Sequence, residues 1–226
     1  MSARRSFLTR IGAAAAAFGL GSARAFAGGQ PLEVQEAPGK PSPADERWQA
    51  SRHPQDDWLD AIPGKHRLFF DAVSPEGASG AIQFANNFFT ANKNGYGLEP
   101  SDVAVVICLR HRATQFAFTD AIWAKHGAAL SESEKFTDPK TSQVPIVNVY
   151  RTGLDAHIKR GVHLAVCDLS THRLANFIAR KMENGNAEAM YKELTANAFA
   201  NAHFVAAGIL AVNRAQERGY SIAYVG

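Results

Sequence analysis

The stretch Val162-His-Leu-Ala-Val-Cys167-Asp-Leu-Ser-Thr-His-Arg173 changes character at its midpoint. Its first half is a short apolar run rich in β-branched residues, the pattern of a strand buried on both faces. After Ser170-Thr171 the apolar residues Leu174, Phe177 and Ile178 follow helical spacing. A buried strand therefore runs into a helix with Cys167 at the junction. In parallel α/β sheets ligands bind beyond the carboxyl ends of the strands, which puts this thiol where chemistry is usually done. A helix N-terminus beside it favours the thiolate. A buried cysteine is equally a small space-filling side chain, and position alone leaves both readings open.

Working outward, the same grammar repeats. His66 to Val73 reads as a first strand ending near Asp71, Ser74-Pro75-Glu76-Gly77 as a turn, and Gly80 to Asn94 as a helix carrying Ile82, Ala85, Phe88 and Phe89. Val103 to Leu109 is a second, continuously apolar strand, followed by a helix from Gln115 to Lys125 that stops at Gly127. Residues 128–149 show no period and contain Pro139 and Pro145, as functional or mobile segments often do. A short helix over Asp155 to Lys159 precedes the central stretch. Its helix runs on toward Met182, breaks at Asn184-Gly185-Asn186 and resumes from Ala187 to Thr195. Asn201 to Val205 is a fourth strand, Gly208 to Arg218 a helix, and Tyr220 to Val225 the last strand. Strict alternation over five strands predicts an α/β fold: a three-layer α/β/α sandwich on a five-stranded, mainly parallel sheet with right-handed crossovers. Phe116, Ile122 and Trp123 sit at core or subunit-contact spacing.

The N-terminal part is read as processing signal. Ala3-Arg4-Arg5-Ser6-Phe7-Leu8, the apolar run Ile11 to Leu20 and Ala25-Phe26-Ala27 have the order of a twin-arginine (Tat) signal peptide over residues 1–27, which predicts export to the periplasm. The apolar run is half the length a membrane span needs. Residues 28–57, rich in Pro, Gly and charge, read as an exposed arm, and residues 58–226 as the domain. Within Asp56 to Ile62, Trp58 is placed to pin the arm to the domain, and Pro63-Gly64 ends the turn. The chain carries 24 basic and 21 acidic residues; without Arg4, Arg5, Arg10 and Arg24 the count is 20 against 21, a formal charge of −1. No nucleic acid and no membrane partner is expected for the mature chain.

The segments Val162–Cys167, Gly208-Ile-Leu-Ala-Val212 and Ala215-Gln-Glu-Arg-Gly-Tyr220-Ser-Ile-Ala-Tyr224 resemble the DsrE-like family of small α/β proteins. Arg110-His-Arg-Ala-Thr114 and Ala117-Phe-Thr-Asp-Ala-Ile-Trp-Ala-Lys125 resemble a Tat-exported branch of that family without a settled function. The likeness covers about Trp58 to Val225. It implies a five-stranded sandwich that assembles as a trimer or hexamer. It also implies, from the sulfur-relay members, that Cys167 carries a persulfide and exchanges it with a donor or acceptor protein. The chain departs from that pattern at Asp168, where a small residue, often Gly, tends to follow the cysteine; a carboxylate there opposes the thiolate by like-charge repulsion.

Strand ends bring Asp71, Arg110, His111, Cys167 and the residues around Ala206 to one edge of the sheet. Arg110 and His111 are candidates to hold an anion or to activate Cys167, and Arg110 is equally a candidate for an ion pair with Asp71 or Asp120. Gly208, opening the last helix, suits either close approach to an anion or tight packing. Cys108 and Cys167 are expected as free thiols, since pairing depends on strand order. The eight histidines show no His-x-x-x-His spacing, and neither a dinucleotide fingerprint nor a Gly-x-Ser-x-Gly elbow is present, so no metal and no cofactor is expected. Two functions are compatible with these residues: a periplasmic sulfur-relay thiol carrier using Cys167, or a non-enzymatic oligomeric module that binds a small anion or a protein partner at the strand-end cleft.

Overall fold

Val103–Leu109 is apolar at every position and buried at every position, because it lies in the middle of a sheet covered on both faces. This strand, β2, pairs with β1 (His66–Ala72) on one side and β3 (His163–Cys167) on the other. β4 (Ala202–Val205) and β5 (Ser221–Val225) close the two edges, giving the order β4-β3-β2-β1-β5 with every pairing parallel. The fold is the expected three-layer α/β/α sandwich. The computed structural model describes residues 48–226; the export signal expected over residues 1–27 and the expected arm as far as residue 47 lie outside the described residues.

The two faces of the sheet are unequal. Val105, Ile107 and Leu109 of β2 point to the larger core, built with α2 (Pro75–Tyr96), α3 (Asp120–Glu134), α4 (Arg151–Ile158), α5 (Asp168–Lys181) and α6 (Ala187–Ala196). Ala104, Val106 and Cys108 point the other way, onto α7 (Gly208–Gln216) and α1 (Asp57–Ala61). The alternation follows from the two-residue period of a strand. Phe116, Ile122 and Trp123 are all in the larger core, where the Phe116 and Trp123 rings stack at 5.5 Å. Among the described residues no helix is long and apolar enough to cross a membrane.

Three elements differ from their sequence reading. Ser74-Pro75-Glu76-Gly77 is the start of α2, with Ser74 Oγ accepting from the Gly77 amide and Pro75 in the first turn, where its missing N–H is no loss. The expected helix over Gln115–Lys125 is a 3₁₀ segment, His111–Ala117, followed by α3, which passes through Gly127 to Glu134. Gly127 does not end that helix. A Cβ there would lie 2.3 Å from the Pro145 carbonyl oxygen, so the glycine admits the irregular segment after residue 136 against the helix. The helix expected at Asp155–Lys159 begins earlier, at Arg151.

Gly127→Ala separates helix propensity from packing. Propensity alone predicts a gain of about 1 kcal/mol, whereas the approach of Pro145 predicts a loss of about 1–3 kcal/mol. We expect the loss, read from the midpoint of urea unfolding.

Candidate functional site

The chain leaves β3 through α5 over one face of the sheet and leaves β4 through α7 over the other. Adjacent parallel strands whose outgoing connections part in this way leave a crevice beyond their carboxyl ends, the usual ligand position in open α/β sheets. A cavity of about 550 Å³ lies there. Phe204, Val205, Ala206, Ala207 and Leu210 give it an apolar floor, Asp168 and Tyr191 form one polar wall, and His53, Gln55, Asp56 and Arg214 form the other.

Asp168 is the first residue of α5, where a carboxylate is favoured by the helix dipole. Its Oδ1 accepts a hydrogen bond from the Tyr191 hydroxyl at 2.7 Å, and its Oδ2 lies 3.5 Å from His172 Nε2, one helical turn on. The His172 and Tyr191 rings stack at 3.9 Å and are nearly coplanar in orientation. The hydrogen bond to Asp168 pushes the Tyr191 hydroxyl up to about 12, so it stays a donor across the physiological range. On the opposite wall Arg214 Nε donates to Asp56 at 3.0 Å, and the same guanidinium holds Glu217 and the Ser51 carbonyl. Among the described residues this is the only guanidinium lining the crevice. It is thus neutralised within the fold, while Asp168 remains as an acceptor.

The residues picked from sequence divide into three groups. Asp71 and Arg110 form a two-point ion pair, with Nε to Oδ1 at 2.6 Å and Nη2 to Oδ2 at 2.9 Å. Gly208 packs on that pair: a Cβ there would lie 2.5 Å from Arg110 Cβ, which selects the packing role for this glycine. Asp120, the other candidate partner for Arg110, instead takes Arg151 and the Asn148 amide. His111 has a left-handed backbone (φ 54°) and lines a different depression, with Arg112, Glu134 and Arg173. Cys167 is 6 % exposed, borders the crevice through its neighbours Asp168 and Val205, and is not among the residues lining it. Thr171 Oγ donates to its carbonyl at 3.0 Å. Both thiols are free. Cys108 is fully enclosed, and burial first, then the Asp71 charge, pushes it well above the ordinary thiol range. Among the described residues no group of three or more His, Cys, Asp or Glu side chains stands close enough to hold a metal ion.

Arg214, Tyr191 and His172 were not picked from the sequence. The Asp168/His172 spacing of four residues on a helix was the one local signal; Tyr191 and Arg214 reach the site only through tertiary packing. The segment preceding β1 also contributes. Trp58 stacks on His203 at 4.0 Å, and His203 Nε2 shares a 2.8 Å hydrogen bond with His163 Nδ1. Arg67 of β1 and the Tyr220 hydroxyl, just before β5, both donate to the Leu59 carbonyl, so α1 is tied to the β1–β5 side of the sheet while Trp58 reaches across to β3 and β4. The same segment supplies His53, Gln55 and Asp56 to the crevice wall.

Comparison of the chain with family models, with curated proteins and with solved structures gives no match in any of the three.

The ion pair and the two histidines each have a measurable consequence. Arg110→Met strands the buried Asp71 carboxylate and is expected to cost about 3 kcal/mol or more, while the double variant Asp71→Leu/Arg110→Met loses less, because no charge is left unpaired; urea unfolding of the four proteins gives the coupling. Burial lowers both His163 and His203 from the ordinary 6.5, His203 to about 4, so the unfolded chain binds their protons first. Their contribution to stability is complete above pH 6.5 and is lost progressively as the pH falls toward 4. Thermal melts over that range should show the decline, and His203→Phe should flatten it.

Proposed function

We propose that this protein is a non-enzymatic binding module whose ligand occupies the crevice between the carboxyl ends of β3 and β4. The observation that carries the reading is the pairing of an apolar floor with the Asp168 acceptor, in a cavity where the Arg214 guanidinium is already neutralised by Asp56 and Glu217. Such walls suit a small molecule with an apolar body and a hydrogen-bond-donating or cationic head. They do not suit the small anion anticipated for this cleft, because the carboxylate of Asp168 would face it. The agreement of the five-stranded sandwich with the DsrE-like resemblance supports the architecture of that reading, and fold alone carries no chemistry. We extend the proposal to an exported protein acting in the periplasm and assembling with copies of itself, on the strength of the N-terminal pattern and the resemblance.

A sulfur-relay role for Cys167 is the second reading. It is favoured by the placement of the thiol at the N-cap of α5. Against it stand the small exposure of Cys167 and the engagement of Arg110 by Asp71, which removes the cation expected to activate the thiol.

Benzylamine and benzoate, of matched size and opposite charge, test the first reading by ligand-observed NMR. We expect benzylamine to bind the wild type, to be lost in Asp168→Asn, and to be excluded by Leu210→Trp, which fills the crevice from an exposed position; benzoate should not bind. Equal binding of both probes, or binding that survives Leu210→Trp, would overturn the assignment. Iodoacetamide modification of the folded chain discriminates the second reading: a Cys167 alkylated no faster than Cys108 removes the relay, whereas rapid alkylation, together with loss of benzylamine binding in Cys167→Ala, moves the function to the thiol.

A further inference from the structure

Beyond the crevice, the other face of the same sheet edge carries a basin of opposite charge. A depression of about 490 Å³ is lined by His111, Arg112, Ser133, Glu134, Lys135 and Arg173. Three cationic side chains there face one carboxylate, and that carboxylate is not free to meet solvent: the Glu134 side chain is 3 % exposed. Its Oε1 accepts from Arg173 Nη2 at 2.5 Å and from Ser133 Oγ at 2.9 Å, and Arg112 Nε lies 3.9 Å from Oε2. Arg112 Nη2 also donates to the Glu134 carbonyl at 2.7 Å, capping α3, and Arg173 Nη1 reaches Ser133 Oγ at 3.3 Å. A buried acid that gathers two guanidiniums from separate elements, the 3₁₀ segment after β2 and α5, holds them side by side and leaves the basin with two positive charges in excess. Glu132, the nearby acid on α3, is paired with Lys181 at 2.6 Å and does not cancel them. Among the described residues Lys135 makes no side-chain ion pair or hydrogen bond. It follows α3 in a left-handed conformation (φ 51°), as His111 does after β2 (φ 54°). Of the five non-glycine residues with left-handed backbone among the described residues, these two lie on the rim of this depression.

We infer that this basin is a second ligand site, which takes a tetrahedral oxyanion with two negative charges, held by Arg112 and Arg173 as paired fork donors and by Lys135 as a point charge, with Glu134 as the positioning residue. Planar guanidiniums fixed by a carboxylate present their remaining N–H groups at a set spacing, the arrangement that recognises phosphate and sulfate oxygens. The site is separate from the crevice and does not depend on what the crevice binds.

Calorimetric titration of the full chain with inorganic phosphate and with phenyl phosphate, against chloride at equal ionic strength, tests it. We expect saturable binding in the millimolar range or tighter, with a rise in Tm on adding phosphate that chloride does not reproduce. Lys135→Gln and Arg173→Gln should each weaken the affinity roughly tenfold or more, the loss expected for one charge-assisted hydrogen bond. Binding of inorganic phosphate alone marks a site for the free ion, and binding of phenyl phosphate marks a site for a phosphoryl-bearing small molecule; both outcomes uphold the assignment. Arg173→Gln also strips a partner from buried Glu134, so its readout is the phosphate-induced shift and not its own Tm, and Lys135→Gln carries the test without that complication. A phosphate response no larger than that of chloride, or an equal response in wild type and both variants, overturns the site.

Discussion

A chain that leaves one edge of a parallel sheet and re-enters at the opposite edge must lay its connecting helix over a particular face, because crossovers in parallel sheets are right-handed. The first four strands of this protein step outward in one direction, so all their helices fall on one face. The last crossover, from β4 back past β1 to β5, has to run the other way and carries α7 onto the bare face. That single reversal has three consequences. It covers Ala104, Val106 and Cys108, it leaves α1 and the segment before it, among the described residues, to finish the covering, and it opens the sheet edge between β3 and β4. The crevice is therefore a product of connectivity before it is a product of side chains.

The side chains then decide which chemistry the edge supports. A strand-end cysteine beside a helix N-terminus has the backbone setting of a reactive thiol, but reactivity also needs access and a nearby positive charge. Here the cation that the sequence places next to it, Arg110, is bound at two points by Asp71 and wedged by Gly208, whose lack of a side chain lets the helix α7 approach the arginine. The residue after the cysteine is an acid held by Tyr191 and flanked by His172. The polar investment at this strand end surrounds Asp168 and not the sulfur of Cys167, and the binding reading rests on that contrast.

Strand positions and the fold class were legible because a run such as Val103–Leu109, apolar at every position and too short for a buried helix, suits a strand covered on both faces and little else. Helix boundaries were less so, for identifiable reasons. Ser74-Pro75 has the same residues as a turn and as a capped helix start, and only the hydrogen bond from the Gly77 amide to Ser74 Oγ distinguishes them. Gly127 reads as a stop locally, yet its role is to admit Pro145, a partner 18 residues away that no local window contains. Of the sequence candidates only the residues around Ala206 line the crevice; Cys167, Asp71, Arg110 and Gly208 lie at neighbouring strand ends without lining it. Their partnerships were not legible, since strand order and the face chosen by α7 determine who meets whom. Tyr191 lies in the middle of α6 and Arg214 in the last turn of α7, and the two histidines under Trp58 are 40 residues apart in the chain.

Arg110, His111 and Arg112 show how one strand end can serve two environments. Arg110 continues the alternation of β2 and falls on the α7 side, where Asp71 neutralises it. The left-handed turn at His111 then redirects the chain, and Arg112 emerges on the α3–α5 side beside Arg173. Had His111 kept an extended backbone, two-residue periodicity would have returned Arg112 to the α7 side, next to Arg110, and the two guanidiniums would have competed for one carboxylate. The unusual backbone of a single residue thus separates like charges and lets the same sheet edge hold an acid-walled crevice and a basic basin. Glu134 completes the separation, since a buried carboxylate at the end of α3, shared with Arg173, and its backbone carbonyl give Arg112 partners away from Asp71 and fix it on the second face.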